Sequence, residues 1–383
     1  MTLGRSHLVP VAMFFSTFAW SFVYVSLPFH IQAMSTGDAA ATLRWTGWIL
    51  GISPLVTVVM SPVWGYYAER GDPRAQYVGV EVVQGIGFFG MALARTLPEL
   101  FLARVVLGVV GAASTFAFVI AGRAGSTSAV RRQFAAVQSA MTVGQVIGPL
   151  VGAIAAARVG FRASFVFGGV ILLACAALVR LGVPATPPGL VPRRAGRGAR
   201  AGEIIAVALI VLGGNVQIFF LPAILPEVLP GLGVEGSRTL EVGGFLIFAS
   251  GVAAALGALA APRLGDLGRE GPVLAALLII ASVLVAALAA ASGVWPYGVL
   301  RFLQVLCIAP VFPILVSRIA PRAGGQAIGV INSARIGAAF VGPVLATTVL
   351  PWTSPSGLYV LLGAVGLACV PLFGSRALGM RAG

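Results

Sequence analysis

The sequence has few charged residues and no lysine. Only 9% of its 383 residues are charged, and all 25 basic residues are arginines, against 11 acidic residues and two histidines. An ordinary globular domain carries roughly a quarter charged residues. A water-soluble surface cannot be built from so few charges, so the composition excludes a soluble enzyme or a soluble nucleic-acid-binding domain.

The residues that usually build active sites and metal sites are also scarce. The three cysteines, Cys175, Cys307 and Cys369, lie in apolar runs without the pairs or Cys/His clusters typical of disulfide frameworks and metal sites. The glycine-rich segments are apolar and contain no phosphate-binding loop. The two histidines, His7 and His30, are predicted near opposite membrane faces. We therefore expect no metal, no cofactor and no enzymatic activity.

What the sequence has in abundance is apolar residues, which make up 58% of the chain. Twelve apolar stretches reach the length of about 20 residues that a helix needs to cross a bilayer. They predict an all-α membrane protein with twelve transmembrane helices and no sizeable soluble domain. The predicted spans are 9–32, 44–66, 76–95, 99–121, 134–156, 163–182, 203–222, 241–261, 273–292, 296–317, 327–350 and 356–374.

The arginines indicate how the chain is oriented. If the N-terminus is cytoplasmic, seventeen of the 25 arginines lie inside, five lie outside and three lie within spans. Because cytoplasmic loops carry the excess of positive residues, this distribution predicts an inner-membrane protein with both termini in the cytoplasm. It also explains the net charge of +14 without nucleic-acid binding.

A polar linker divides the chain into similar halves. The segment 183–202, rich in Pro, Gly and Arg, separates six predicted spans in 1–182 from six in 203–383. A shift of 194 residues aligns four dipeptides between the halves: Leu27-Pro28 with Leu221-Pro222, Gly71-Asp72 with Gly265-Asp266, Ser139-Ala140 with Ser333-Ala334, and Gly148-Pro149 with Gly342-Pro343. Because each half has an even number of spans, we expect two six-helix bundles related by a pseudo-two-fold axis along the membrane normal.

Two motifs carry a family resemblance. Small residues recur every fourth position in spans 5 and 11, a pattern that lets helix backbones approach closely, and prolines favour bends there; the motif residues are Gly144, Gly148, Pro149, Gly152, Gly342 and Pro343. The predicted cytoplasmic turn after span 2 reads SPVWGYYAERGDPR. Both motifs resemble those of the major facilitator superfamily, and more narrowly of its proton-coupled multidrug-exporter branch.

The resemblance implies that the inner turn helps to gate the cytoplasmic side. Gly65, Glu69, Arg70 and Arg74 match the family pattern in kind. The candidate gating residues also include Asp72 in the turn, and Asp266 and Arg269 in its echo after span 8. Asp72 and Pro73 depart from the Gly-Arg pair of the family pattern. A solvated turn of mixed charge is the alternative interpretation.

Ionisable residues inside spans are costly and usually mark a transport pathway. Arg104 in span 4 matches the arginine of an R-x-x-x-G motif of the family. Arg301 has Gln304 one turn away in span 10, and Arg335 shares a face of span 11 with Asn332. Each arginine could instead be a structural strut bound to backbone carbonyls, or could extend to an interface.

The remaining polar residues within spans predict the character of the pathway. Tyr24, Asn215 and Gln217 are candidate pathway residues, and Glu81 in span 3 either carries a proton or is a structural partner of a gate arginine. Span 1 contains no acid. Three intramembrane arginines against one glutamate favour a neutral, zwitterionic or anionic amphiphile over an organic cation.

The sequence therefore predicts a monomeric secondary transporter in the lipid bilayer that exports a small-molecule substrate in exchange for protons by alternating access. A facilitator or importer without proton exchange is the alternative. A receptor or scaffold that transports nothing is disfavoured by the short loops.

Overall fold

The computed structural model describes residues 7–122, 127–185, 200–236, 238–265, 270–319 and 325–374. These ranges contain α-helices and short 3-10 turns and no strand, which confirms the predicted all-α fold. The sixteen α-helices of this part of the chain are α1 Leu8–Phe22, α2 Ser26–Met34, α3 Ala39–Arg70, α4 Pro73–Leu93, α5 Leu97–Val109, α6 Ala113–Gly122, α7 Thr127–Val159, α8 Phe161–Gly182, α9 Ala201–Phe219, α10 Leu221–Gly231, α11 Arg238–Gly265, α12 Glu270–Ala287, α13 Val294–Ile308, α14 Val311–Ile319, α15 Gly325–Val349 and α16 Pro355–Ala368.

Eleven segments of the described chain are long and apolar enough to cross a membrane. Four of them are pairs of half-helices: α1 with α2, α5 with α6, α9 with α10, and α13 with α14. The twelfth span is α4, whose 21 residues suffice for the crossing but include several polar side chains. The twelve spans are called spans 1 to 12 in chain order below.

The chain forms two compact units. Unit 1 has the bounds Met1–Thr36, Ile52–Val191 and Leu240–Phe248. Unit 2 has the bounds Gly37–Gly51, Pro192–Thr239 and Ala249–Gly383. The first part of α3 thus belongs to unit 2, where Trp48 packs edge to face on Phe340 with ring centroids 5.6 Å apart. The two predicted bundles, 1–182 and 203–383, and the linker 183–202, whose residues 186–199 lie outside the described ranges, stay predictions.

Each unit has its own apolar core. In unit 1 the core includes Tyr77, Phe116 and Val179, all fully buried. In unit 2 it includes Leu278 and Leu315, which are likewise fully buried. These cores hold the half-helices in place and so determine where the polar side chains within the spans can lie.

Candidate functional site

Candidate functional side chains lie near helix breaks within each unit, in spans 1 and 4 of unit 1 and in spans 7 and 10 of unit 2. A proline lacks the N–H that would bond the carbonyl four residues earlier, so a proline inside a span leaves a backbone acceptor free. Within a membrane that acceptor needs another donor. Three of the breaks have such a proline, at Pro28, Pro222 and Pro310.

In unit 2, Arg301 supplies the donors at the break in span 7. Its side chain is 1% exposed. One guanidinium nitrogen, Nη1, donates to the carbonyl of Gln217 at 2.6 Å, and Nη2 donates to the carbonyl of Ile218 at 2.7 Å. Ile218 is the residue whose carbonyl Pro222 cannot bond. Arg301 therefore caps the end of α9, as the strut interpretation of this arginine describes.

An amide network extends from Arg301 through the bundle. Nη1 of Arg301 also donates to Oε1 of Gln304 at 2.7 Å, and Nε2 of Gln304 donates to Oε1 of Gln217 at 3.3 Å. Gln217 in turn donates to Oγ of Ser282 at 2.9 Å and to the carbonyl of Leu362 at 3.4 Å. The network joins α9, α12, α13 and α16, so it fixes span 7 against three other spans.

Arg335 has a different environment, since its side chain is only partly buried. Its Nε and Nη2 both donate to Oδ1 of Asn332, one turn earlier on α15, at 3.2 and 3.1 Å. Its guanidinium carbon lies 5.3 Å from the ring centroid of Phe312. These described partners carry no charge, and they use two of the five N–H groups of a guanidinium.

In unit 1, Trp20, Gln84 and Arg104 form a second polar cluster. Nε1 of Trp20 donates to Oε1 of Gln84 at 2.7 Å, and Nε2 of Gln84 donates to the carbonyl of Val110 at the break in span 4 at 2.7 Å. The guanidinium carbon of Arg104, which is 3% exposed, lies 5.5 Å from the ring centroid of Trp20. Tyr24 lies close enough to Arg104 for the two to interact electrostatically.

The break in span 4 has further donors, which the sequence analysis did not identify. Ser53, Thr57 and Trp64 on α3 donate to carbonyls of α5, those of Arg104 at 2.5 Å, Gly108 at 3.1 Å and Val109 at 2.5 Å, respectively. The spacing of these donors places them on one face of a helix, which was the available signal.

Within the described residues, two predicted residues make no hydrogen bond with these clusters. Asn215 donates to the carbonyl of Val211 in its own helix at 2.8 Å. Glu81 is fully buried, and in the described part of the chain neither of its carboxyl oxygens has a hydrogen-bond partner, so no arginine pairs with it here.

At the inner turn, Asp72 caps a helix. Its Oδ1 accepts a hydrogen bond from the backbone N–H of Arg74 at 3.1 Å, and Pro73 takes the first position of α4. Arg74 donates through Nη2 to the carbonyl of Arg180, and Arg70 lies over the ring of Tyr66 at 3.7 Å. The Glu69 side chain, Asp266 and Arg269 lie outside the described residues, and Gly65 has open space where a Cβ would be.

The small residues of span 5 lie against span 1. A Cβ added at Gly148 would be 2.6 Å from Cβ of Ser21, one at Gly144 would be 2.6 Å from the carbonyl oxygen of Phe14, and one at Gly152 would overlap the carbonyl of Phe22. Pro149, which favours a bend in the helix, follows Gly148 within α7.

Span 11 makes the corresponding approach to span 7. A Cβ at Gly342, which precedes Pro343 in α15, would lie 3.1 Å from the backbone nitrogen of Phe220. In both units, therefore, a helix of small residues packs beside a broken span.

Comparisons with known proteins agree with this architecture. A family model described as Major Facilitator Superfamily matches residues 11–229. The multidrug resistance protein MdtG of Serratia proteamaculans (strain 568) is 27% identical over 300 residues, which cover 74% of this chain and 71% of that protein. The uncharacterized MFS-type transporter YuxJ of Bacillus subtilis (strain 168) is 23% identical over 350 residues, 88% of each chain. The crystal structure of the nucleoside transporter NupG is similar in fold, with a TM-score of 0.76 at 13% identity over 97% of this chain and 98% of that one.

Proposed function

The chain belongs to the major facilitator superfamily, and we propose that this membrane transporter exports a small neutral, zwitterionic or anionic amphiphile from the cytoplasm in exchange for protons. In this proposal it works as a monomer in the inner membrane, with both termini cytoplasmic. The inner turn at Glu69, Arg70 and Arg74 closes the cytoplasmic side during the cycle.

The observation that carries the proposal is the environment of Arg335. This intramembrane cation is partly accessible, and its described partners are the amide of Asn332 and the ring of Phe312. An unneutralised guanidinium attracts a carboxylate or another electron-rich group and repels an organic cation. Its planar group of donors also suits two-point binding of a carboxylate.

Export, rather than import, is supported by the relatives. Proteins named for multidrug resistance match most of this chain, at 27% identity for the one from Serratia proteamaculans. The small-residue pattern of span 5 resembles that of the exporter branch as well. The alternative, a facilitator without proton exchange, is favoured by the absence of an acid in span 1.

The experiment uses purified protein in proteoliposomes and three fluorescent dyes of different charge. We expect transport of carboxyfluorescein or rhodamine B, which are anionic and zwitterionic, and little transport of the cation ethidium. An imposed pH gradient should drive net dye movement. Preferential transport of ethidium would contradict the proposed substrate class. Transport that does not depend on the pH gradient would favour a facilitator over a proton-coupled exporter.

Variants connect the transport to the site. Arg335→Ala should lower dye transport strongly, whereas Arg95→Ala, which removes an exposed arginine outside the spans, should not. Equal activity of the two variants would mean that Arg335 does not contribute to binding.

A further inference from the structure

Glu81 is a carboxyl group buried within a membrane span. It lies in α4 with 0% exposure, next to Tyr77 and Val80 of the apolar core of unit 1. Neither of its oxygens, nor the hydroxyl of Tyr77, makes a hydrogen bond within the described residues. Buried polar groups are nearly always paired, so an unpaired carboxyl group requires an explanation.

Among the described residues, the helices around α4 place no cation next to this group. The polar groups that face Glu81 are the hydroxyls of Ser16 on α1 and Tyr77 on α4. From α8 comes Cys175, whose thiol donates to the carbonyl of Ala12 at 3.4 Å. The α6 residues in the same core are apolar. The charged residue of α5 that lies inside its span is Arg104, whose guanidinium lies beside Trp20.

These surroundings favour the neutral acid. An ionised carboxylate needs a counter-ion or several donors to compensate for lost hydration, and this site supplies neither. A protonated carboxyl has one donor and one acceptor, which hydroxyls such as those of Ser16 and Tyr77 can match after small rotations.

Glu81 is also coupled to the polar cluster of unit 1. Gln84 lies three residues further along α4, on the same helix face, and bonds both Trp20 and the broken end of α5. A change of charge at Glu81 therefore acts one helical turn away from the group that orients Trp20 beside Arg104.

We propose that Glu81 carries the exchanged proton of this transporter. The inference rests on the proposed function. In the conformation described here, the carboxyl O–H bond is intact. When water reaches α4 in another conformation, that bond breaks, the proton passes to a water molecule, and the carboxylate remains until it takes up a proton from water on the other side.

Infrared spectroscopy of the full-length protein in nanodiscs tests the protonation state independently of transport. We expect the carbonyl stretch of a protonated carboxylic acid near neutral pH, and its loss in Glu81→Gln. Glu99→Gln is the matched control, because Glu99 is exposed at the start of α5, and it should retain the signal. If wild type lacks the signal, or if the signal persists in folded Glu81→Gln, the proposal is wrong. The wild-type spectrum can overturn the proposal even if the variant fails to fold, and Glu81→Asp, which keeps a carboxyl group, then serves as the second variant, with a shifted signal expected and an unshifted one contradicting the assignment.

Transport of rhodamine B in proteoliposomes tests the coupling. Glu81→Gln should retain exchange of dye for dye and lose the component driven by a pH gradient, whereas Glu99→Gln should keep both. Gradient-driven transport that survives in Glu81→Gln would overturn the proposal. If wild-type transport does not depend on the pH gradient, the protein does not exchange protons, and Glu81 cannot couple transport to them. The infrared signal then still reports whether the carboxyl group of Glu81 is protonated.

Discussion

Replacement of Arg301 by methionine should destabilise unit 2. Methionine fills much of the same volume but cannot donate the three hydrogen bonds of Arg301, which go to two carbonyls of α9 and to Gln304. Hydrogen bonds within membrane proteins contribute on average about 0.6 and at most about 1.7 kcal/mol each, so three of them correspond to about 2–5 kcal/mol. Relief of a buried charge acts in the opposite direction, and we therefore expect the lower end of this range.

The matched control is Arg335→Met, because both hydrogen bonds that Arg335 makes within the described residues go to Asn332 on its own helix. A partly exposed site of this kind should cost about 0.5 kcal/mol or less. The measurement is the free energy of unfolding in mixed micelles of dodecyl maltoside and increasing dodecyl sulfate, followed by far-ultraviolet circular dichroism. If the two variants are equally stable, Arg301 is not the cap of the broken span, and its burial needs another reason.

Three further predictions concern unit 1, the small-residue helices and the inner turn. Arg104→Ala should abolish dye transport in proteoliposomes and Arg104→Lys should retain part of it, since lysine keeps the charge but loses the planar fork; normal transport by the alanine variant would reduce Arg104 to a packing residue. Gly148→Ala should lower the free energy of unfolding by about 1–3 kcal/mol through overpacking, and Gly342→Ala should lower it less, because the added Cβ would lie 2.6 Å from its nearest neighbour in the first case and 3.1 Å in the second. Thermal unfolding measures both variants, and a larger loss in Gly342→Ala would contradict the packing argument. Asp72→Ala should lower stability by about 1 kcal/mol through loss of the N-cap, while Asp72→Asn should stay near wild type; equal losses would mean that the charge of Asp72, and not its cap, matters.

Hydrophobicity and repetition made the fold predictable from the sequence. Long apolar stretches specify spans because every backbone group in lipid must bond within a helix. The third span was identified although α4 is less apolar than the others. The prolines Pro28 and Pro222 were recognised as marks of the repeat, yet the same residues also specify the helix breaks, because each removes one backbone donor.

The contacts of the site were harder to predict. Arg301 binds the carbonyls of Gln217 and Ile218, which are more than 80 residues away in the chain. Every residue type has a backbone carbonyl, so the sequence does not show which carbonyls an arginine will bind. The structure was therefore needed to decide whether Arg301 is a structural strut or a residue of the transport pathway. The cap at Asp72 was accessible from the sequence, since Asp followed by Pro is a typical helix start, but the family pattern drew attention to the charge instead.

The structure changes which arginines bear on substrate charge. Arg301 donates to two carbonyls of α9, so we expect it to contribute little to substrate recognition. Arg335 keeps neutral partners and partial exposure, which leaves it the strongest candidate for contact with an anionic group. If Glu81 is neutral, as proposed, it does not offset these cations in the conformation described. The proposed preference for neutral, zwitterionic or anionic substrates therefore depends chiefly on Arg335 and no longer on counting three arginines.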